Sequence, residues 1–243
     1  MSILKSIYKK SANNQKQLAF LIDPDKYSGN KLEQTIKQIN KTQPDIVMIG
    51  GSLVVDKIDF IILKIKEECQ IPVIIYPGSL IQLSTKADGI LFISLISGRN
   101  PDFLIGNHVV AAPILKQSAT EVISTGYMLI EGGTKTSVEY MSNTQPIPST
   151  KNDIAIATAF AGELLGMKLI YMDAGSGAKN PIPLTMIREV KKSITVPLMI
   201  GGGLNTPEKV EKACQAGADI VVIGNAVEKD LSLLKEFISI VRM

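Results

Sequence analysis

The sequence predicts an α/β fold, a (β/α)8 TIM barrel formed as one domain by residues 1–243. Its 243 residues are close to the roughly 250 that are typical of this barrel. Eight short apolar runs recur along the chain, and helical patterns separate most of them, which indicates a parallel sheet with enough strands to close. The predicted strands are Leu18–Ile22, Ile46–Ile49, Val73–Tyr76, Gly89–Ile93, Glu121–Ile130, Leu169–Met172, Val196–Ile200 and Ile220–Ile223.

Helices are predicted between most of these strands, with one exception. Only Pro77–Asp88 joins the third and fourth strands, and this segment is too short for a full helix and two loops. The helix after the third strand is therefore expected to be degenerate or missing. The gap could admit a long apolar ligand beside the barrel, or it could simply be a short loop. The clearest helical patterns are Lys31–Lys41, Ile58–Cys69, Asp153–Leu165, Leu184–Ser193 and Pro207–Ala216.

The last two strands predict a phosphate site, because each apolar run stops at glycine. Val196–Gly203 reads VPLMIGGG, and Ala218–Asn225 reads ADIVVIGN. Glycines let backbone N–H groups approach phosphate oxygens, and the start of a helix adds a partial positive charge. Thr206 is expected to cap the next helix, with Pro207 in its first turn. In (β/α)8 barrels the loops after strands seven and eight frequently bind phosphate.

The residues that follow the strands indicate which chemistry the barrel supports. Three carboxylates, those of Asp23, Glu131 and Asp173, fall at the carboxyl ends of strands, where catalytic residues lie in this fold. The single histidine, His108, falls in a helical pattern, and we interpret it as structural. Nucleophilic catalysis by His or Cys and zinc binding are therefore disfavoured. Carboxylates, hydroxyls and substrate phosphates suit Mg²⁺, for which Asp23 is a candidate ligand unless it braces Lys26.

Composition excludes several classes of function. The net charge is only +3 and tryptophan is absent, so no basic stripe with interleaved aromatics favours nucleic acid. Cys69 and Cys214 lie far apart, which is typical of buried or idle thiols in a reducing compartment. Without a signal peptide or a membrane-spanning run, we expect a cytoplasmic protein with at most peripheral membrane contact. The residues that could touch an anionic membrane, or else form a solvated helix end, are Lys5, Lys9, Lys10 and Lys16.

Taken together, these loops resemble the geranylgeranylglyceryl phosphate synthase family, which includes the bacterial heptaprenylglyceryl phosphate synthases. The resemblance covers nearly the whole chain, and the pairing of LIDPDK with YMDAGSG is its most specific part. The motifs that carry it are LIDPDK at 21–26, IGGS at 49–52, YPGS at 76–79, GNHVVAAP at 106–113, STGYMLIEGGT at 124–134, YMDAGSG at 171–177, IGGGLNTPE at 200–208 and VVIGNAVE at 221–228.

The resemblance implies a prenyltransferase on a barrel that has lost its third helix. The reaction it implies joins the C3 hydroxyl of sn-glycerol 1-phosphate to a polyprenyl diphosphate, such as geranylgeranyl diphosphate. It further implies Mg²⁺ as the cofactor, with Asp23 and Ser52 as ligands and with Asp173 as the catalytic base. Tyr171 is a second candidate catalytic residue, which could orient the hydroxyl or face an allylic cation with its ring, or else simply pack at the end of the sixth strand. A homo-oligomer is also expected, since it would cover the flank of the missing helix. The residues it implies for sn-glycerol 1-phosphate are Tyr171, Met172, Asp173, Ala174, Gly175, Ser176, Gly177, Gly202, Gly203, Gly224 and Asn225.

One departure from the family pattern bears on the catalytic base. The family usually has Glu where this chain has Asp173, and the shorter arm moves the carboxylate by roughly one ångström. This departure keeps open the alternative of a catalytically inactive protein that binds a phosphate ligand. Two enzyme alternatives also stay open: another barrel enzyme with a phosphate substrate, which the loops after strands seven and eight would fit equally well, and a flavin-dependent barrel oxidoreductase.

Overall fold

Eight parallel strands close into a barrel in the computed structural model, which describes residues 2–54 and 58–243. Each strand pairs with its neighbour in the chain, and β1 pairs with β8 to complete the circle. The predicted (β/α)8 barrel is confirmed. The strands are β1 (Gln17–Ile22), β2 (Ile46–Gly51), β3 (Val73–Pro77), β4 (Gly89–Leu95), β5 (Glu121–Leu129), β6 (Leu169–Asp173), β7 (Leu198–Gly201) and β8 (Ile220–Ile223).

Helices surround the barrel except after β3. There the chain forms only a short 3-10 turn, Leu80–Gln82, before it enters β4, so the predicted loss of this helix is confirmed. The α-helices are α1 (Ile3–Ala12), α2 (Gly29–Thr42), α3 (Ile58–Glu68), α4 (Asn107–Lys116), α5 (Ser137–Ser142), α6 (Asn152–Leu164), α7 (Leu184–Ser193), α8 (Pro207–Ala216), α9 (Asn225–Lys229) and α10 (Leu233–Val241).

Element boundaries follow the local chemistry of the sequence. Thr206 accepts a hydrogen bond from the N–H of Lys209, and Pro207 opens α8, as predicted. Strand β7 begins at Leu198, two residues later than predicted, because Pro197 has no N–H to donate to a neighbouring strand. Cys69 falls just beyond the end of α3, and both it and Cys214 are buried free thiols.

The strands alternate between two apolar layers. One set of side chains fills the interior of the barrel, and the other packs beneath the surrounding helices. Helix α1 closes the amino-terminal end of the barrel, because Ile3 and Ile7 pack into the interior layer. Glu121 anchors this helix by accepting hydrogen bonds from the N–H groups of Ile3 and Leu4.

Three acidic residues fix the amino-terminal end of the barrel in the same way. Each directly precedes an even-numbered strand, accepts a backbone N–H from the strand before it, and pairs with a lysine. Asp219, which is 4% exposed, accepts the Leu198 N–H at 2.8 Å and lies 2.6 Å from Lys191 Nζ. The other two sets are Asp45 with Leu18 and Lys10, and Asp88 with Val73 and Lys66.

Helix α4 leaves much of its surface apolar. Only His108, Ala111 and Leu115 of this helix are buried. The His108 ring packs edge-on against Phe92 and bonds to Ser94 Oγ at 3.1 Å, which agrees with a structural role. Within the described residues, no helix is long and apolar enough to cross a membrane.

Candidate functional site

The carboxyl ends of β6, β7 and β8 meet at one end of the barrel. Strand β6 runs beside β7, and the N–H of Ala174 donates to the carbonyl of Gly201 at 3.1 Å. The loop after β6 also reaches the start of α9, where Ser176 and Asn225 share side-chain hydrogen bonds of 3.1 and 3.2 Å. The predicted segments Tyr171–Gly177, Gly202–Gly203 and Gly224–Asn225 therefore lie together.

Gly202 permits this close approach of the loops. Its φ of +78° is a conformation that L side chains rarely adopt. A Cβ at this position would lie 2.7 Å from both Asp173 Oδ1 and the Gly175 nitrogen. Glycine is thus required here for packing of the β6 and β7 loops, in addition to the access for phosphate that the sequence predicts.

Asp173 ends β6 with its side chain inside the barrel, 6% exposed. One carboxylate oxygen, Oδ1, accepts the Gly175 N–H at 2.8 Å. The other, Oδ2, accepts the hydroxyl of Tyr127 at 2.7 Å and faces that of Tyr76 at 3.4 Å. Among the described residues, the groups that donate to this carboxylate are all neutral.

Burial raises the pKa of the Asp173 carboxyl above its ordinary value, although the hydrogen bonds from Tyr127, Gly175 and Tyr76 act in the opposite direction. Burial and the charge of Asp173 also raise the pKa of the three neighbouring tyrosines well above the usual range. The phenols consequently stay protonated and donate. A carboxylate with a raised pKa beside a site is typical of a general base.

Tyr171 and Met172 precede Asp173 on the same strand and face opposite ways. The Tyr171 ring is buried in the barrel interior, edge-on to Tyr127 with ring centres 5.2 Å apart. The Met172 side chain instead packs in the layer between strands and helices. Only the backbone of Met172 is therefore available to the predicted substrate site.

Asp23 lies at the end of β1, in a small network of charges. Its carboxylate accepts the Asp25 N–H and lies 3.2 Å from Lys26 Nζ, which also pairs with Glu228 at 3.1 Å. Burial alone would lower the pKa of Lys26, but its hydrogen bonds to Glu228 and Asp23 outweigh that effect and raise it. Bracing of Lys26, the alternative left open by the sequence, is present in the structure.

Ser52 follows the end of β2, where Gln82 organises the backbone. The Gln82 side chain is 1% exposed; it donates to the Gly51 carbonyl at 2.7 Å and accepts the N–H groups of Gly51 and Gly78. The short turn that replaces the missing helix therefore holds the ends of β2 and β3 together.

A small apolar cleft opens beside this turn. Gly51, Ser52 and Gly78 form its polar edge, and the rings of Tyr76 and Tyr127 form its floor. Leu53, adjacent to this edge, is 67% exposed. The cleft therefore lies beside the two tyrosines that contact Asp173. Its apolar wall consists of Ile93, Leu95, Phe103, Val138 and Met141.

The donors near β1 and β2 suit a weakly held magnesium ion. Asp23 Oδ1 lies 3.9 Å from the place that a Cβ on Gly51 would occupy, so its carboxylate reaches the segment that carries Ser52. Among residues 2–54 and 58–243, no three His, Cys, Asp or Glu side chains cluster in a way that would hold a metal. One carboxylate and one hydroxyl fit Mg²⁺ that takes its other ligands from water and substrate phosphates.

Sequence reasoning missed four residues that shape this site. Tyr76 and Tyr127 contact Asp173, Gln82 fixes the β2 end, and Glu228 holds Lys26. Tyr76, Tyr127 and Glu228 lie inside the motifs of the family resemblance, which was the available signal. Glu131, a predicted rim carboxylate, instead accepts hydrogen bonds from Ser149 and braces a loop.

Known proteins match this chain over nearly its whole length. A model of the PcrB family matches residues 11–241. The chain is 49% identical to geranylgeranylglyceryl phosphate synthase of Chitinophaga pinensis over 235 residues, covering 96% of this chain and 93% of that relative. The synthase of Spirosoma linguale is 45% identical over 243 residues, covering 100% and 96%. The crystal structure of (S)-3-O-geranylgeranylglyceryl phosphate synthase from Thermoplasma acidophilum, in complex with its substrate sn-glycerol-1-phosphate, matches with a TM-score of 0.94 at 30% identity and covers 100% of this chain and 99% of that one.

Proposed function

The chain belongs to the PcrB family, and from this premise and the geometry of its site we propose that it is a prenyltransferase. The reaction forms an ether bond between the C3 hydroxyl of sn-glycerol 1-phosphate and a polyprenyl diphosphate such as geranylgeranyl diphosphate. One observation carries the proposal: Asp173 stands between the glycine-rich loops of β6 to β8 and the apolar cleft. It thus adjoins both a polar and an apolar substrate region.

The polar substrate fits the loops after β6, β7 and β8. Gly202, Gly203, Gly224 and Asn225 offer backbone N–H groups to the phosphate, and the loop Ala174–Gly177 closes over the glycerol. This assignment orients the free hydroxyl inward, toward Asp173. The Thermoplasma acidophilum synthase binds sn-glycerol-1-phosphate as its substrate, and the likeness of the two chains supports the same chemistry here.

The prenyl substrate fits the opposite side of Asp173. Its allylic end enters the cleft walled by Ile93, Leu95 and Phe103. Its diphosphate lies at the edge formed by Gly51, Ser52 and Gly78. Mg²⁺ held by Asp23 and Ser52 would supply positive charge against the leaving diphosphate.

In the reaction the glycerol oxygen forms a bond to the allylic carbon while the bond from that carbon to the diphosphate breaks. The electron pair of the broken bond leaves with the diphosphate. Asp173 accepts the proton of the hydroxyl, a role for which its raised pKa is suited. Tyr171 packs beside the reacting region, and its ring face offers electron density to a developing allylic cation.

A turnover assay separates this function from its rivals. The protein is incubated with radiolabelled sn-glycerol 1-phosphate, Mg²⁺ and a ladder of prenyl diphosphates, and the lipid extract is analysed for ether product. An organic-soluble labelled product is expected, and excess chelator should abolish it. Glycerol phosphate binding without any product would instead indicate an inactive binder.

We further propose that the protein is cytoplasmic and forms a homo-oligomer. The exposed apolar face of α4 next to the missing helix supports this assembly, since Val109 is 65% and Val110 58% exposed. The test is the molar mass in solution, measured by light scattering. The wild type should be a multimer, and Val109→Lys should be a smaller species.

A further inference from the structure

We propose that Tyr127 is the positioning residue of Asp173, because its phenol holds the carboxylate where that group accepts the proton of the acceptor hydroxyl. This inference rests on the proposed ether-forming reaction and adds to it a residue that the sequence did not single out. Tyr127 reaches Asp173 from β5, 46 positions earlier in the chain.

The Tyr127 phenol is held tightly by its surroundings. The residue is 2% exposed, and its ring packs edge-on to Tyr171 at 5.2 Å and lies 6.4 Å from the ring of Tyr76. Burial raises the pKa of its hydroxyl well above the usual range, so the hydroxyl remains a donor. The 2.7 Å bond to Oδ2 is therefore a fixed restraint on the carboxylate.

The hydrogen bonds that Asp173 already accepts leave one lone-pair position of its carboxylate for a substrate hydroxyl. An ionised carboxylate offers about four lone-pair positions. Gly175 occupies one on Oδ1, while Tyr127 and Tyr76 face two on Oδ2. The Tyr76 contact of 3.4 Å is long for an O–H···O bond, which leaves Tyr127 as the side chain that sets the position of Oδ2.

A neutral phenol orients the base and lowers the pKa of its carboxyl less than a cation would. The titratable groups that face Asp173 are Tyr76 from β3, Tyr127 from β5 and Tyr171 from β6 itself. In the described part of the chain no lysine or arginine pairs with Asp173, in contrast to Asp219. A cation at this distance would favour the ionised form strongly and reduce the basicity of the carboxylate.

The test is Tyr127→Phe, which removes one oxygen atom. We expect kcat to fall roughly tenfold while KM for glycerol phosphate changes by less than about twofold. The acid limb of the kcat profile should move upward by roughly one pH unit, because a bond that favours the ionised carboxylate is lost. Tyr76→Phe should give a smaller shift. Tyr8→Phe is the matched control, since that phenol donates to the Lys168 carbonyl outside the site and its loss should leave kcat unchanged.

A second measurement keeps the two proposals distinguishable. Titration of Asp173 by NMR in protein carrying carbon-13 aspartate, assigned with Asp173→Asn, needs no turnover. An Asp173 titration that is unchanged in Tyr127→Phe, with an unchanged pH profile, would overturn the inference. Absence of product from the wild type would overturn the proposed reaction alone. A further variant covers the case in which Tyr127→Phe does not fold. Fluorotyrosine at position 127 keeps the ring and makes its hydroxyl a stronger hydrogen-bond donor. It should then lower the Asp173 pKa, and an unchanged pKa would again overturn the inference.

Discussion

The two ends of the barrel treat buried carboxylates in opposite ways. At the amino-terminal end, Asp219 is 4% exposed and pairs with Lys191, and Asp45 and Asp88 repeat the arrangement with their own lysines. At the carboxyl-terminal end, Asp173 is 6% exposed and is held by two phenols and one N–H group. Asp219 and Asp173 are buried to a similar degree, whereas Asp45 and Asp88 are only partly buried. The partners of the carboxylates differ between the two ends.

This difference distinguishes carboxylates that stabilise the fold from one that is suited to a reaction. The paired carboxylates fix the starts of strands to their neighbours, which favours the folded barrel. In the described part of the chain no cation pairs with Asp173, and burial raises the pKa of its carboxyl above the ordinary value. Retaining such a group costs stability, and it suits a residue that accepts a proton in a reaction.

The largest expected effect comes from Asp173→Asn. If Asp173 is the base, kcat should fall by about 10²–10⁴, while the near-isosteric side chain preserves the fold. Glycerol phosphate affinity, measured by calorimetry, should stay close to that of the wild type. Asp219→Asn is the matched control at the other end of the barrel, and its kcat should not change. Turnover of Asp173→Asn at the wild-type rate would remove this residue from the mechanism.

The second-largest effect is expected from Gly202→Ala, on the binding of glycerol phosphate. The new Cβ would lie 2.7 Å from Asp173 Oδ1 and from backbone atoms, so the loops after β6 and β7 must separate. Calorimetry should show glycerol phosphate binding weakened by at least tenfold. Gly166→Ala provides the control: its φ of +87° is equally unfavourable, but nothing lies within 4 Å of the new atom. That variant should lose some stability and keep its affinity, and equal losses of affinity in both would contradict the assignment.

A moderate effect is expected from Asp219→Ala at the amino-terminal end. Removing the acceptor leaves the Leu198 N–H without its partner, and the free energy of unfolding should fall by about 1–3 kcal/mol. Urea denaturation measures this loss, and kcat at a permissive temperature should be unchanged. Glu208→Ala breaks an exposed ion pair instead and should have no measurable effect on either quantity. A fall in kcat for Asp219→Ala in the fully folded protein would contradict the claim that the carboxylates at the amino-terminal end contribute to stability alone.

The smallest effect is a dependence of stability on pH. Burial raises the pKa of Asp173 in the folded protein above the value of about 3.9 for an unfolded chain. The folded state therefore binds this proton more tightly, and the resulting stability is complete below the unfolded pKa and lost as pH rises through the folded pKa. Asp173→Asn should thus be more stable than the wild type at pH 7, with a difference that shrinks toward pH 4. A difference that stays constant with pH would contradict this sign.

Much of the architecture could be predicted because it depends on local pattern. The apolar runs and their spacing predicted all eight strands, and the length of Pro77–Asp88 predicted the missing helix. Thr206 and Pro207 marked the start of α8 because capping needs only neighbouring residues.

The partners of the site residues could not be predicted in this way. Tyr76 and Tyr127 reach Asp173 from 97 and 46 positions away, and these contacts exist only once the barrel closes. The pairing of Lys26 with Glu228 spans 202 positions for the same reason. Periodicity placed Asp173 at the end of a strand, but it carried no information on which side chains would surround it.

The most direct test of the proposed site is a crystal structure with sn-glycerol 1-phosphate bound. We predict that the phosphate lies between Gly202–Gly203 and Gly224–Asn225, with the C3 hydroxyl within hydrogen-bond distance of Asp173. That result would place the acceptor substrate at the buried carboxylate whose donors, among the described residues, are two phenols and one N–H group. A phosphate bound elsewhere, or a C3 hydroxyl turned away from Asp173, would contradict the central claim.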